Sequence, residues 1–471
     1  MPPDSPALET SIESRPVLQS AVTATLAPAD ARERIFAIDA LRGFALLGIL
    51  LMNLPALAMP FQAHYDPTVP GFDTRANFWI WVIDALLIEG KMRAIFSMLY
   101  GASVVLLTSR LEQRAGVSQV ADIHYRRTLW LILFGMAHIC FVWGGDILFI
   151  FGVCGLILFP LRKVAPKYLI VTGLLMFSLL AARRYADSRA LHSMRETAIE
   201  ANAAEAAGKT LTEAQRQAQK AWTEKLKESR PSQSTIAQDI SDHRGSYWKQ
   251  FARRAKNPGI EFTLFGFPYE AFGMMLIGMG LLKLGVFSAD RSYREYGLMA
   301  IFGFGIGLCL GGYVVWRNVQ NSFSPCGFFS ATCCGPMTSP SYDLERLLVG
   351  LGWVGLVMMV LKARLLRWLT APLAAVGRTA LTNYLMQTVL CVLIFDGVGF
   401  GLYGRLQRPE LLLYVLLPIW LFQLVFSAMW LRYFRFGPME WLWRSLTYRK
   451  SQRMRILVPA AMGQSSAAEG L

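Results

Sequence analysis

The chain has 471 residues, of which 54% are hydrophobic and 17% are charged, and its formal net charge is +15. A mean hydropathy of +0.37 and repeated apolar runs of membrane-spanning length indicate an all-α polytopic membrane protein and exclude an ordinary soluble domain. The basic residues cluster in short segments between the apolar runs, so we expect a lipid bilayer as partner and no nucleic acid.

The predicted elements begin with a polar tail and continue as membrane spans. Residues 1–34 are rich in Ala, Ser and Pro, and we expect a disordered cytosolic tail. Windows of about 20 residues predict about 10 spans (roughly 9–11). They are 35–59, 92–109, 127–144, 146–161, 167–183, 261–283, 295–316, 343–361, 373–396 and 411–431. The predicted regions are N-terminal transmembrane helices (35–183), an outer segment (184–260), C-terminal transmembrane helices (261–431) and a cytosolic amphipathic segment with a basic tail (432–471).

The distribution of Lys and Arg predicts the orientation. Most basic residues fall in the loops that lie on the same side as the N-terminus, which the positive-inside rule assigns to the cytosol. Both termini are therefore predicted to be cytosolic, in a multi-pass membrane protein. The basic segment 184–260 falls outside, where we expect helical hairpins or partial disorder, because long loops cross membranes largely regardless of charge.

The first span carries two charged residues. Asp39 and Arg42 lie three residues apart, on one helical face, and the stretch from Phe44 to Met59 has Asn53 as its polar residue. Charged groups inside a span are costly and usually functional. One interpretation is that Arg42 binds phosphate with its planar fork; the other is a structural ion pair. We predict a cofactor site at Asp39 and Arg42 and assign Asn53 to substrate binding.

The third span contains His138, about ten residues from its start and near mid-membrane. A neutral imidazole there is suited to general-base catalysis, although a structural hydrogen bond to another helix is the alternative. Asp146 follows eight residues later, a separation of about 12 Å along one helix, so it is not expected to orient His138. It either caps the next helix or, with Trp143, lines an outer substrate pocket.

Two further polar groups lie in the C-terminal half. In the ninth span Arg378 and Asn383 approach one face, with Gln387 one turn beyond. Arg378 either forms an anion pocket with Arg42 or snorkels to lipid headgroups. Glu270, near the outer end of the sixth span, is assigned to substrate binding or to a structural role. No metal site is expected, whereas Cys326 could pair with Cys333 or Cys334 if their loop faces an oxidising compartment.

Several blocks of sequence resemble the YeiB-like bacterial inner-membrane proteins, a family of unknown function. They include Ile38 to Gly43, Ala137 to His138 with Trp143 to Leu148, Gly377 to Tyr384, and Gly437 to Arg444. The family looks like a branch of the transmembrane acyltransferases, which include the lysosomal heparan-glucosaminide acetyltransferase. The resemblance implies an intramembrane histidine, here His138, as the catalytic residue. It also implies that Asp39, Arg42, Arg378 and Asn383 hold cytosolic acyl-coenzyme A or acetyl-coenzyme A.

Two functions are therefore expected from the sequence. The first is an acyltransferase that moves an acyl group from cytosolic acyl-coenzyme A to a small molecule, a glycan or a lipid-linked acceptor at the outer face. The second is a transporter or flippase of a small anionic or amphipathic compound that uses the same intramembrane charges. The acceptor, the acyl chain and the oligomeric state are not readable from the sequence.

Overall fold

The computed structural model describes residues 35–114, 116–229, 232–256, 267–321, 323, 339–364 and 366–456, and this part is all-α. Its helices are α1 (Phe36–Ala58), α2 (Phe61–Tyr65), α3 (Arg75–Leu87), α4 (Lys91–Glu112), α5 (Val117–Phe141), α6 (Leu148–Leu161), α7 (Pro166–Ala206), α8 (Glu213–Ser229), α9 (Gln233–His243), α10 (Tyr247–Lys256), α11 (Phe267–Lys283), α12 (Tyr293–Gln320), α13 (Tyr342–Lys362), α14 (Arg367–Arg378), α15 (Ala380–Phe395), α16 (Arg408–Tyr433) and α17 (Pro438–Tyr448). Short 3-10 and π segments accompany them at Val286–Ser288 and Leu411–Leu416.

The chain is a polytopic membrane protein. Six helices of the described part are long and apolar enough to cross a membrane: α1, α3 with α4, α7, α12, α13 and α16. The bent pair α14 and α15 gives a seventh if it counts as one span. The other predicted spans correspond to α5, which carries more polar residues, and to the shorter α6 and α11. The prediction of about ten spans and that of cytosolic termini remain predictions.

The segment 184–260 is built from helices wherever the structure describes it. Helix α7 runs without a break from the membrane to Ala206, about 60 Å in all, and α8 folds back against it. Helix α10 packs its aromatic side on the end of α5, where the Tyr247 hydroxyl donates to the Phe141 carbonyl at 2.8 Å. This segment therefore covers the end of the helix that contains His138.

Helix α1 lies at the centre of the bundle, against α4, α14 and α15. It crosses α14 at two glycines. A Cβ atom on Gly43 would lie 1.9 Å from the Leu373 carbonyl oxygen, and one on Gly377 would lie 1.9 Å from the Asp39 carbonyl oxygen. Since only glycine allows this approach, the crossing brings Arg42 of α1 and Arg378 of α14 to one region of the molecule.

The predicted ninth span, 373–396, is not one straight helix. The chain bends by 87° between α14 and α15, at Thr379. The bend leaves the first amide groups of α15 without helical partners, and Glu440 of α17 caps them: its carboxylate accepts from the Leu381 and Thr382 amides at 2.6 and 3.0 Å. The periodicity of apolar residues did not reveal the bend because both halves are apolar.

Four cysteines within the described helices, Cys140, Cys154, Cys309 and Cys391, are free. The predicted pairing of Cys326 with Cys333 or Cys334 lies outside the described residues, as do the tail 1–34 and residues 457–471.

Candidate functional site

His138 and Asp146 form a buried pair, against the expectation from the sequence. Helix α5 ends at Phe141, and the chain turns back through residues 142–147 into α6. The turn places Asp146 Oδ1 2.9 Å from His138 Nδ1, with both side chains almost completely buried. The expected separation of about 12 Å was wrong because it assumed one continuous helix as far as Asp146. His138 also lies one turn before the end of α5, not midway along it.

The Asp146 carboxylate is held on several sides. Its Oδ2 accepts from the Phe149 amide at 2.7 Å, so Asp146 also caps α6, as one of the two sequence interpretations proposed. The Tyr384 hydroxyl of α15 donates to Oδ1 at 3.4 Å and accepts from the Ile147 amide at 3.3 Å. Gly135 of α5 permits this packing, because a Cβ atom there would lie 2.8 Å from Asp146 Oδ2.

This arrangement can support base catalysis by His138. The carboxylate beside Nδ1 favours the tautomer with its proton on Nδ1, which leaves the lone pair on Nε2. His138 Nε2 is buried and has no hydrogen-bond partner among the described residues. His138 Nδ1 lies close to the carboxylate, but the contact does not have hydrogen-bond geometry, and Nδ1 too has no hydrogen-bond partner among the described residues. The pair thus places an acid beside a histidine whose Nε2 is available to a reacting group.

A cavity of about 270 Å³ lies between α1, α4, α5, α6, α14, α15 and α17. Cations predominate in its wall. Among the described lining residues are six arginines and two acids: Arg42, Arg110, Arg114, Arg127, Arg378, Arg444, Asp39 and Glu440. The arginines come from the ends of α1, α4 and α14, from α5 and from α17, the side that the sequence predicts to be cytosolic. Such an excess of guanidinium groups favours an anionic ligand.

Three of the predicted cofactor residues, Asp39, Arg42 and Arg378, line this cavity beside the α1–α14 crossing. Arg42 donates to Asp39 Oδ1 and to Ser103 Oγ, both at 2.9 Å, and to the Gly377 carbonyl at 3.4 Å. Arg42 is thus tied to three elements and is not restricted to a pair with Asp39. Arg378 keeps a buried Nε without a hydrogen-bond partner among the described residues.

Helix α17 closes one side of the cavity. Its Trp443 stacks on the Arg127 guanidinium, at 3.7 Å from the ring centroid, and donates to the Arg127 carbonyl at 2.9 Å. Glu440 lines the cavity beside the start of α15 that it caps. The residues predicted as a cytosolic amphipathic segment therefore contribute to the wall of the site.

Asn383 and Gln387 lie in a different place from the one predicted. Both are buried in a polar seam between α15 and α16, and neither is among the residues that line the cavity. Asn383 donates to Thr379 Oγ1 and Ser427 Oγ at 2.8 and 2.9 Å, and Gln387 donates to Gln423 Oε1 at 2.8 Å. The spacing does not show which side of α15 packs on α16, and the assignment of Asn383 to cofactor binding and of Gln387 to substrate binding stays a prediction.

The remaining predicted substrate residues are scattered. Glu270 contacts Arg93, Arg184 and Arg346 at 3.8, 2.6 and 2.8 Å, far along the chain from His138. Trp143 is half-buried and packs beside an apolar cluster near the outer end of α1. Asn53 is half-buried in α1 and is not among the lining residues of the cavity.

The sequence interpretation missed several residues of the site. Arg110, Arg114, Arg127 and Arg444 were counted only as signals of orientation, and Tyr384 received no role. Gly144 and Gly145 were a usable signal for the turn, because two glycines after an apolar helix favour a break.

The chain is similar to known proteins over most of its length. The model of a family described as "Protein of unknown function (DUF418)" matches residues 281–450. The chain is 31% identical to the "Uncharacterized protein YeiB" of Escherichia coli (strain K12), over 88% of this chain and 97% of that protein. It is 28% identical to the "Uncharacterized protein YxaH" of Bacillus subtilis (strain 168), over 90% and 96% of the two chains. The chain therefore belongs to the YeiB-like family of membrane proteins.

Proposed function

We propose that this protein is an acyltransferase of the bacterial inner membrane. It would take an acyl group, acetyl or a short chain, from cytosolic acyl-coenzyme A and pass it to a glycan or lipid-linked acceptor at the outer face. The observation that carries the proposal is the position of Tyr384, which lines the arginine-rich cavity and also contacts Asp146, the partner of His138. An anion site and a base thus lie on either side of one side chain.

The charge of the cavity suits the phosphates of coenzyme A. Arginine binds phosphate oxygens through two parallel N–H donors and stays charged when buried. Arg42 and Arg378 both line the cavity beside the α1–α14 crossing, while Arg110, Arg114 and Arg444 lie on elements nearer the predicted cytosolic surface. A donor bound by its phosphates among these groups would direct its thioester towards Tyr384.

The reaction follows from the orientation of His138. Its Nε2 lone pair accepts the proton of an acceptor hydroxyl as that oxygen attacks the thioester carbonyl carbon. The new carbon–oxygen bond forms, the carbon–sulfur bond breaks, and the imidazolium returns the proton to the departing thiolate. Asp146 stabilises the imidazolium at Nδ1. The products are the acylated acceptor and free coenzyme A.

Binding and release of thiol test the proposal directly. We expect purified protein in detergent to bind acetyl-coenzyme A in calorimetry and to release free thiol slowly with water as acceptor. The His138→Ala variant should bind normally, while thiol release falls by roughly 10²–10⁴-fold. Arg378→Ala should weaken binding, and Arg367→Ala, an exposed arginine at the other end of α14, is the matched control.

Two outcomes would refute the enzyme. One is the absence of binding of acetyl-, propionyl- and longer acyl-coenzyme A at millimolar concentration. The other is unchanged thiol release in His138→Ala. Labelled acetyl-coenzyme A mixed with membrane lipid and glycan extracts would then identify the class of acceptor from the product that carries the label.

The 87° bend between α14 and α15 favours a second candidate, a transporter or flippase of an anionic or amphipathic compound. Broken helices with free backbone groups build the binding sites of many transporters. A transporter predicts counterflow of an anion in liposomes that survives His138→Ala. The absence of such counterflow, together with thiol release, would exclude the transporter and support the acyltransferase.

A further inference from the structure

We propose that Tyr384 is a positioning residue and the barrier between the arginine-rich cavity and His138. Its place in catalysis rests on the proposed function, but the barrier itself does not. Tyr384 is buried and lines the cavity, whereas neither His138 nor Asp146 is among the lining residues. Its ring centroid lies 5.5 Å from that of the His138 imidazole. A molecule in the cavity therefore meets the tyrosine ring before it meets His138.

The hydroxyl of Tyr384 connects the barrier to the turn that holds Asp146. It donates to Asp146 Oδ1 and accepts from the Ile147 amide, the residue that follows Asp146 in the chain. Both hydrogen bonds are long, at 3.4 and 3.3 Å, so they hold the ring without locking it. Rotation of the ring would open a path to His138 Nε2 and release one of the contacts of Asp146.

The barrier accounts for a requirement of transfer across a membrane. A histidine that faced the cavity at all times would let water attack the thioester, and the donor would be hydrolysed without transfer. In the structure His138 Nε2 is buried and has no hydrogen-bond partner among the described residues. Movement of the Tyr384 ring is thus the smallest change that brings the donor to the base.

The accessibility of His138 tests the barrier without any acyl donor. Diethyl pyrocarbonate modifies unprotonated imidazoles, and mass spectrometry of full-length protein in detergent gives the rate at each histidine. The chain supplies its own references: His192 is partly exposed, His64 is buried elsewhere, and His124 lines the cavity. The variants are Tyr384→Phe, which keeps the ring, and Tyr384→Leu and Tyr384→Ala, which remove it.

In the wild type His138 should react as slowly as His64. Loss of the ring should raise the rate at His138 about tenfold or more, with His64 and His124 unchanged, while Tyr384→Phe should remain within about twofold of the wild type. Equal rates at His138 in Tyr384→Ala, Tyr384→Leu and the wild type would overturn the barrier. So would equal rates in Tyr384→Phe and Tyr384→Ala, or a parallel rise at His64, which would indicate general loosening.

The same variants separate this proposal from the acyltransferase itself. If the protein binds acetyl-coenzyme A, Tyr384→Leu should hydrolyse it faster than the wild type, and Tyr384→Phe should alter the pH profile of thiol release through the contact with Asp146. If no acyl-coenzyme A binds, the proposed enzyme fails, while the modification of His138 still decides whether Tyr384 is a barrier.

Discussion

Two regions of this protein bring many charges together, and they differ in how the charges are balanced and in how deeply they are buried. One is the arginine-rich cavity, where the described lining residues hold six arginines and two acids. The other, which we term the ion-pair network, lies at the opposite end of α4. Its members are Lys91, Arg93, Arg184, Glu270, Asp343, Glu345 and Arg346. Lys91 and Arg110, one from each region, are about 28 Å apart along that helix.

In the ion-pair network nearly every charge has an opposite partner at close range. Lys91 lies 2.7 Å from Glu345, and Arg346 lies 2.8 Å from Glu270 and 2.7 Å from Asp343. Glu89, buried two residues before Lys91, adds another carboxyl group. A balanced set of this kind holds helices α4, α7, α11 and α13 together and leaves no charge to attract a ligand.

In the arginine-rich cavity the cations are held apart by hydrogen bonds to neutral groups. Arg42 has Ser103 and a backbone carbonyl as partners besides Asp39, and Arg127 has the Trp443 ring. The described lining residues thus carry an excess of positive charge, which raises the free energy of the protein alone and which an anion would compensate. The comparison therefore separates a buried and balanced set of charges, which holds helices together, from a partly buried and unbalanced set, which indicates a binding site.

Breaking the ion-pair network should have the largest effect on stability. Glu270→Gln removes the carboxylate that three arginines share, and it leaves Asp343 to balance both Arg184 and Arg346. We expect a loss of about 3–5 kcal/mol, visible as a large fall in melting temperature in detergent. Glu213→Gln, at an exposed ion pair of α8, is the control and should cost no more than about 1 kcal/mol. Equal melting temperatures for the two variants would contradict the structural role of Glu270.

Removing a cation from the cavity should weaken ligand binding and leave the stability of the protein nearly unchanged. Arg378→Met leaves no acid unpaired, so we expect a melting temperature close to that of the wild type. Binding of coenzyme A should weaken by roughly 10- to 100-fold, the equivalent of one charged hydrogen-bonding group. Calorimetry at low and high salt checks this, because the affinity of the wild type should fall with salt more steeply than that of the variant. An unstable variant with unchanged affinity would remove the distinction between the two regions.

The crossing of α1 and α14 should be sensitive to a single methyl group. Gly377→Ala places a Cβ atom 1.9 Å from the Asp39 carbonyl oxygen, so the helices must separate. We expect a cost of about 1–3 kcal/mol and weaker anion binding, since Arg42 and Arg378 move apart. Gly305→Ala in α12, where a Cβ atom would meet nothing within 4 Å, is the matched control and should be neutral or slightly stabilising. A neutral Gly377→Ala would show that the close crossing is not required.

The sequence predicted the helices well and the site in part, for a physical reason. Apolar length is a local property, so α1, α12 and α13 could be located to within a few residues. The contact of His138 with Asp146 depends on where α5 ends, and the bend after Arg378 depends on how α14 packs on α1. Tertiary contacts decide both. The basic residues bear both on the orientation of the protein in the membrane and on ligand binding. From the sequence alone, only their contribution to orientation could be predicted.

A third group of charged residues lies outside both regions, and a substitution there should have the smallest effect on stability. His243 of α9 lies 3.3 Å from Asp239 Oδ1 and stacks on Tyr403, whose hydroxyl donates to Asp239 at 3.0 Å. Burial disfavours the charged imidazole, but hydrogen bonds to Asp239 and the charges of Asp239 and Asp396 outweigh it and raise the pKa of His243 above 6.5. Burial likewise opposes ionisation of Asp239, but the hydrogen bond and charge of His243 lower the pKa of that carboxyl. Arg253 and Arg254 also face this group, on the side of Asp396.

The sign of the pH effect follows from these shifts. The raised pKa of His243 gives a stabilisation that is complete below about pH 6.5 and is lost as the pH rises through the folded value. The lowered pKa of Asp239 gives a second stabilisation, which is lost as the pH falls below about 4. We expect the free energy of unfolding of the wild type to exceed that of His243→Gln by the most near pH 5–6, by less than about 1 kcal/mol. The corresponding difference in melting temperature should shrink towards pH 8. A difference that grows with pH would show that the imidazole is held neutral and that α9 docks on Tyr403 by stacking alone.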